Sequence, residues 1–291
     1  MFSILVANYN NGRFLEEAFR SILSQTEDNW EVIIVDDGSN DNSIDIIQPY
    51  LANSRFKLFI NEKNFGCGYT KRRCIDLANG NICGFLDPDD TLMPDAIALM
   101  CEAHAKCSDC ALVFSDHYLC DEKLENKKIA AYTGAIQSGF SYLVNPNRKV
   151  IHHFASFKKV LYQKTNGLNA ALKKAVDQDL YYVLEEAGHS FYINKPLYNY
   201  RIHDKGISTY KNIIPAAIVH FKIRLEAFER RKHNAIINLL YPKDKTLFQY
   251  QQYRSKMYLS WYSRKFAQAL AIMPLMFFTS PSQFIKDYVT K

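Results

Sequence analysis

No run of the ~18 uninterrupted apolar residues needed to span a bilayer occurs in this chain of 291 residues. Residues 1–6 lack a basic stretch leading into a long apolar one, so no secretory leader is expected. Together these absences place the expected protein in the cytoplasm or at the inner face of a membrane. The seven cysteines lack the even, close spacing of a disulfide framework. Cys107-x-x-Cys110, with Cys101 and Cys120 nearby, is half of a zinc pattern, but no second pair follows. The same residues read as a helix end and a buried strand start, which predicts reduced thiols. Glycine is sparse, 11 in all, and the turn from Val6 to Gly12 has no glycine repeat to cradle phosphates. That weighs against a nucleotidyltransferase. There is also no internal repeat and no low-complexity tract.

What is present is an ordinary globular composition, 48% apolar and 23% charged, with enough length for a large core. The 19 Tyr and 19 Phe suit sugar-stacking surfaces and plain cores equally well. Charge is uneven. Residues 211–291 hold 14 Lys/Arg against 4 Asp/Glu, so this part carries +10 of a total of +6, leaving −4 for residues 1–210. An acidic front and a basic rear imply two jobs, and we expect a catalytic domain over 1–210 and a basic helical region over 211–291.

Over the first 120 residues short apolar runs alternate with amphipathic ones. Strands are expected at 2–7, 31–35, 56–60, 82–86 and 111–116. Helices are expected at 14–24, from Asn42 or Ser43 to Leu51, and at 68–78 and 94–106. That rhythm predicts an α/β fold built on a mostly parallel, doubly wound sheet flanked by helices. Further on, 121–165 is poor in signals, 176–187 reads as a helix, 191–201 as extended and 202–209 as a polar loop. Two long helices are expected at 213–240 and 247–273.

Ligands of such sheets sit at the carboxyl ends of strands. Three predicted strand ends here are polar: Asn8-Tyr9-Asn10, Asp36-Asp37 and Asp87-Pro88-Asp89-Asp90. Three carboxylates in four residues repel unless a cation or a donor-rich ligand offsets them. Hard oxygens suit Mg²⁺ or Mn²⁺, which in turn gather phosphate oxygens. Alone the tetrapeptide reads equally well as a solvated turn, but its company at three strand ends favours a site.

The ordered motifs Ser3 to Asn10, Leu15-Glu16-Glu17-Ala18, Ser21 to Thr26, Val35 to Ser39, Asn64-Phe65-Gly66, Ala78-Asn79-Gly80 and Asp87 to Asp90 resemble family 2 glycosyltransferases of the GT-A fold. The likeness is dense to Asp95 and resumes at Asp177 and Tyr200. It implies inverting, metal-dependent transfer of a sugar from a nucleotide diphosphate donor to a saccharide, lipid-linked or protein acceptor, as in surface polysaccharide synthesis. It implies that Asp89 and Asp90 hold Mn²⁺ or Mg²⁺, while Asp87 meets the donor's sugar or ribose. Asp37 matches the residue that accepts from a uracil ring, Tyr9 would lie on that base, and Ala7, Asn8 and Gly66 belong to the same donor-binding strand ends. Lys71-Arg72-Arg73 covers a position where the family has a basic residue, leaving open which of the three faces the diphosphate. Asp177-Gln178-Asp179-Leu180 matches an element whose Asp is the general base. With Val176 in place of the usual Glu, Asp177 is the first choice and Asp179 the second. Tyr200-Arg201-Ile202-His203 with Ser208 resembles a loop that closes over the donor, His203 adding a metal or diphosphate contact and Arg201 an ion pair. His152 and His153 read as either core or acceptor-side residues.

The rear helices interleave Lys and Arg with aromatics around Trp261. They read as a peripheral membrane contact, or equally as a solvated cap or a dimer contact. No nucleic-acid motif accompanies the charge. A non-catalytic scaffold of the same fold is the remaining rival, and the intact acidic motifs weigh against it.

Overall fold

A computed structural model describes residues 1–125, 127–204, 206 and 212–289. Among the described residues nine strands form one sheet: β1 (Phe2–Asn8), β2 (Trp30–Asp36), β3 (Phe56–Ile60), β4 (Ile82–Phe85), β5 (Thr91–Leu92), β6 (Cys110–Cys120), β7 (Lys128–Ile129), β8 (Ala155–Lys158) and β9 (His189–Arg201). The order is β3-β2-β1-β4-β8-β6-β9-β5, with β7 paired to β6. The first four strands of that order are parallel, as are β6 and β9, while β8 runs antiparallel between β4 and β6. Thus a strand from the signal-poor stretch sits between β4 and β6.

Both faces of the parallel half are covered, which explains its unbroken apolar runs. Ile4, Val6, Val32 and Ile34 face one core with Leu15, Phe19 and Ile22 of α1 (Gly12–Leu23) and Ile97 and Met100 of α4 (Ala96–Lys106). Leu5, Ile33 and Val35 face the other core, with Cys74 and Ile75 of α3 (Cys67–Leu77) and Leu180 and Leu184 of α6 (Val176–Glu185). The period of two along each strand thus sorts residues between two helical layers.

Three expectations are corrected. The helix after β2 is α2 (Ser43–Ile47) followed by a 3₁₀ turn, Gln48–Ala52, where Pro49 removes a helical N–H. After the short α5 (Lys159–Tyr162) and α6, the two long rear helices are five: α7 (Ile213–Arg231), α8 (Ala235–Leu240), α9 (Asp244–Tyr262), α10 (Phe266–Thr279) and α11 (Pro281–Tyr288). Asn234 restarts the chain as α8, its Oδ1 accepting from the N–H of Ile236 at 3.0 Å and of Ile237 at 3.3 Å. A left-handed Arg264 (φ 60°) separates α9 from α10. Finally, Cys107 and Cys110 form a disulfide between α4 and β6 rather than remaining reduced. Cys74, Cys83 and Cys120 are the buried free thiols.

Ile223, Ala227 and Phe228 of α7 join the core under α6, whereas α9 and α10 share a smaller cluster around Tyr250, Met257, Ala269 and Met276. At the opposite edge Glu31 is buried on β2. It accepts from Ser3 Oγ (2.6 Å), Lys57 Nζ (2.8 Å) and the backbone N–H of Asn79 (2.6 Å), so it ties β1 and β3 to the turn before β4. Burial alone would raise its pKa, but these donors hold it down at about 2. Because the folded pKa lies below the unfolded one, the stabilisation is present above the usual 4.5 and is lost as pH falls towards 2. Glu31→Gln should cost roughly 2–3 kcal/mol at neutral pH. Urea titrations of both proteins across that window should show the gap closing in acid, and a gap that ignores pH would overturn the account.

Candidate active site

A cleft of about 550 Å³ opens at the carboxyl edge of the parallel strands. At one end β1 stops at Asn8, whose Nδ2 donates to Asp36 Oδ2 at 2.7 Å, and Tyr9 emerges 43% exposed. Asp37 follows β2 and is buried. Its Oδ1 accepts from Asn61 Nδ2 (2.6 Å) and the Phe65 N–H (3.0 Å), and its Oδ2 from the Gly66 N–H (2.8 Å). Gly66 has φ 101°, a conformation open to glycine, which turns its N–H onto Asp37 and starts α3. Oδ2 makes a single bond and keeps acceptor capacity for a ligand N–H. Ala7, Asn8, Tyr9, Asp37 and Gly66 all line the cleft.

Beyond β4 the acidic turn divides its carboxylates. Asp87 faces the cleft and pairs with Lys71 Nζ at 2.9 Å, and the same ammonium reaches Asp177 Oδ1 at 2.6 Å. Lys71 is buried, which by itself would lower its pKa, but the two carboxylates raise it well above the usual value and keep it charged. Burial opposes ionisation of Asp87, yet Lys71 and His153 pull its pKa down. This answers which basic residue of the triplet faces the cleft. Arg72 donates to the Leu168 carbonyl at 3.2 Å and Arg73 to that of Ile60 at 3.3 Å, both away from it.

Asp89 lines the cleft, its Oδ2 at 2.8 Å from His203 Nε2. Asp90 does not, which corrects the expected Asp89/Asp90 pair. It is buried, accepting from the Tyr198 hydroxyl at 2.8 Å and the Arg201 N–H at 2.7 Å. Burial, and then repulsion from Asp89 and Asp87, raises its pKa well above the usual range. A carboxylate oxygen and an imidazole nitrogen side by side on the cleft fit Mn²⁺ or Mg²⁺, with water and phosphate oxygens completing the shell. Asp89 and His203 are therefore the residues that would hold such an ion.

His203 is brought there by the end of β9. Arg201, buried at that end, donates from Nε to the Asp89 carbonyl at 2.6 Å and from its other nitrogens to the Glu17 carboxylate and the Glu122 carbonyl. Its guanidinium also lies 4.5 Å from the centre of the Phe14 ring. Ser208 lies outside the described residues.

On the far wall, α6 begins after Ala175, which is left-handed at φ 55°. Asp177 thereby faces the cleft. Asp179 does not line it, correcting its place as second candidate base: buried, it accepts from the Asn169 N–H at 3.0 Å, and burial raises its pKa. Two positions along a helix turn a side chain by ~200°, so only one of the pair can face the ligand. Lys173, Lys174, Arg13 and Gln178 also line the cleft and were missed. A signal was available for the lysines, adjacent cations just before the Asp177 element. His152 and His153 line the cleft as well, beside Asp87.

A wound α/β sheet whose strand ends gather a carboxylate–histidine pair, a lysine and a facing helix-start aspartate has the architecture of a GT-A type fold. The chain belongs to the family described as Glycosyl transferase family 2, which matches residues 3–166. It is 32% identical over 233 residues to an Escherichia coli chondroitin synthase, covering 78% of this chain and 32% of that protein, so it spans about a third of that relative's length. Among solved structures it resembles S. aureus TarS 1–349 in complex with UDP-GlcNAc at a TM-score of 0.70 and 16% identity, covering 99% of this chain and 89% of that one. It also resembles the mannosyltransferase PcManGT from Pyrobaculum calidifontis in complex with GDP-Man and Mn²⁺, at a TM-score of 0.57 and 14% identity, covering 96% and 81%. At those identities the structures bear on the fold alone.

Proposed function

We propose that the chain is an inverting glycosyltransferase that moves a sugar from a nucleoside diphosphate, of the uridine type, to a hydroxyl of a saccharide, lipid-linked or protein acceptor in surface polysaccharide synthesis. One observation carries this reading: a single cleft holds Asp89 with His203 on one wall and Asp177 on the other, with Lys71 linking Asp177 to Asp87. Residues 1–210 form the catalytic unit in this reading and 211–291 its basic helical companion.

A divalent ion at Asp89 and His203 would offset the charge that builds on the departing diphosphate. Tyr9 offers the base a π-face, a contact of about 1–3 kcal/mol, and Asp37 Oδ2 accepts the ring N–H. Asp87 accepts from sugar hydroxyls while Lys71 keeps it ionised. Asp177 takes the acceptor's proton through the carboxylate oxygen that Lys71 leaves to the cleft. A screen of nucleotide sugars with Mn²⁺, read as donor turnover with and without saccharide acceptors, tests the whole. No turnover of any nucleotide sugar would overturn it. Calorimetry with UDP, GDP and dTDP tests the base: UDP should bind tightest and Asp37→Ala should weaken it. Tighter GDP binding would reject the uridine assignment.

Membrane contact belongs to the same proposal. Among the described residues no helix is long and apolar enough to cross a membrane. Yet Phe266, Leu270, Leu275 and Phe278 of α10 are exposed, Phe278 by 79%, beside exposed Arg264, Lys265 and Lys286. From Ala235 to Val289 the only acidic residues are Asp244 and Asp287, both buried. An apolar helix face ringed by cations alone suits an anionic lipid surface. Flotation with phosphatidylglycerol vesicles should recover the chain, and Phe278→Glu should lower the recovery. Equal recovery with neutral vesicles, or no change in the variant, would overturn the contact.

A further inference from the structure

We infer that His117, His152 and His153 form a binding site for a transition-metal cation of the zinc type, separate from Asp89 and His203. His117 comes from β6, and His152 and His153 from the segment leading into β8, so the antiparallel insertion of β8 beside β6 creates the cluster. One ring nitrogen from each residue lies within 4.8 Å of one from each of the others. Every ring also has a buried nitrogen without a hydrogen-bond partner: Nδ1 of His117, Nδ1 of His152 and Nε2 of His153. Orphaned buried nitrogens on three rings packed against one another are costly unless something satisfies them.

The occupant must be small, because these atoms are shielded from solvent. It must accept lone pairs, because a His117 that donates from Nε2 to the Tyr132 hydroxyl presents a lone pair at its unpartnered Nδ1. A metal cation meets both demands. Three imidazoles favour Zn²⁺, Ni²⁺ or Cu²⁺ over Mg²⁺ and Mn²⁺, which sets this site apart from Asp89 and His203, where a carboxylate takes part. The rings also have outer partners of the sort metal-bound histidines use. His117 Nε2 is 3.0 Å from the Tyr132 hydroxyl, and His153 Nδ1 is 3.8 Å from Asp87 Oδ2. With bonds of ~2.0 Å, tetrahedral zinc needs nitrogens roughly 3.3 Å apart, so the side chains draw in slightly on binding.

The experiment uses the chelator-stripped chain without affinity tag, reductant or nucleotide. Reductant is left out so that Cys107 and Cys110 stay paired. Zn²⁺ titrated against a chromophoric chelator should give one bound ion per chain, and Asp89→Asn should bind it equally well. His117→Asn and His152→Asn should each weaken binding by about 100-fold or more, and Tyr132→Phe, which removes only an outer partner, by about tenfold. Co²⁺ on the unmodified chain should give the intense visible absorption of a four-coordinate nitrogen site, a readout that stands even if a histidine variant fails to fold. Absence of Zn²⁺ binding, unchanged affinity in a folded His117→Asn, loss of the ion in Asp89→Asn, or a six-coordinate Co²⁺ spectrum would each overturn the site, leaving the cluster to hold water only.

Discussion

Asp177→Asn is expected to slow sugar transfer by roughly 10²–10⁴-fold, the range for losing a general base, while leaving UDP affinity unchanged. Asp177 lies across the cleft from Asp37 and Asp89, so the nucleotide's contacts survive its loss. The amide still has an oxygen for Lys71, whose 2.6 Å bond to Oδ1 would otherwise complicate a larger change. Initial rates beside UDP calorimetry separate the two quantities. Asp179→Asn is the control. Because Asp179 is turned into the protein, its variant should lose stability rather than turnover. Transfer abolished in Asp179→Asn and intact in Asp177→Asn would exchange the roles, and full activity in both would move the base elsewhere.

The second large effect separates neighbours in the acidic turn. Asp89→Asn should lower turnover by roughly 10²–10³-fold, equivalent to several kcal/mol of charge stabilisation at the leaving diphosphate. UDP binding by this variant should no longer respond to Mn²⁺. Asp90→Asn should keep that response, since its side chain serves Tyr198 and the Arg201 N–H rather than the cleft. Calorimetry of UDP with Mn²⁺ and with chelator distinguishes them. A Mn²⁺ response lost in Asp90→Asn and kept in Asp89→Asn would reverse the division.

Much of the site was legible because strand ends in a wound sheet must carry its chemistry. Asn8, Asp37, Asp87 and Asp89 each follow an apolar run, and all reach one cleft. What was not legible depends on partners far along the chain. Asp90 looks inward because Tyr198 and Arg201, more than a hundred residues later, supply donors there. Asp179 could have been separated from Asp177 by helix periodicity, since the two cannot share a face. Among the rear helices the cap at Asn234 was readable, whereas a left-handed Arg264 carries no residue-type signal. The place of β8 was hidden for another reason. It is four residues long, and its insertion between two strands that both lie far earlier in the chain is a non-local outcome.

Arg201 turns three distant pieces of chain into one mechanical unit. A single planar fork grips α1 through Glu17, the acidic turn through the Asp89 carbonyl and the chain after β6 through the Glu122 carbonyl. Lysine has the charge but not the fan of fixed donors, so it could satisfy at most part of this set at once. The affinity of the Asp89/His203 pair for an ion is therefore governed partly by a side chain that need not touch the ion. Loosening the fork would let His203 wander from Asp89 and raise the entropy lost on capturing the ion. Tolerance to substitution here should follow geometry rather than charge, which makes position 201 a place where ion affinity can be tuned with every proposed ligand intact.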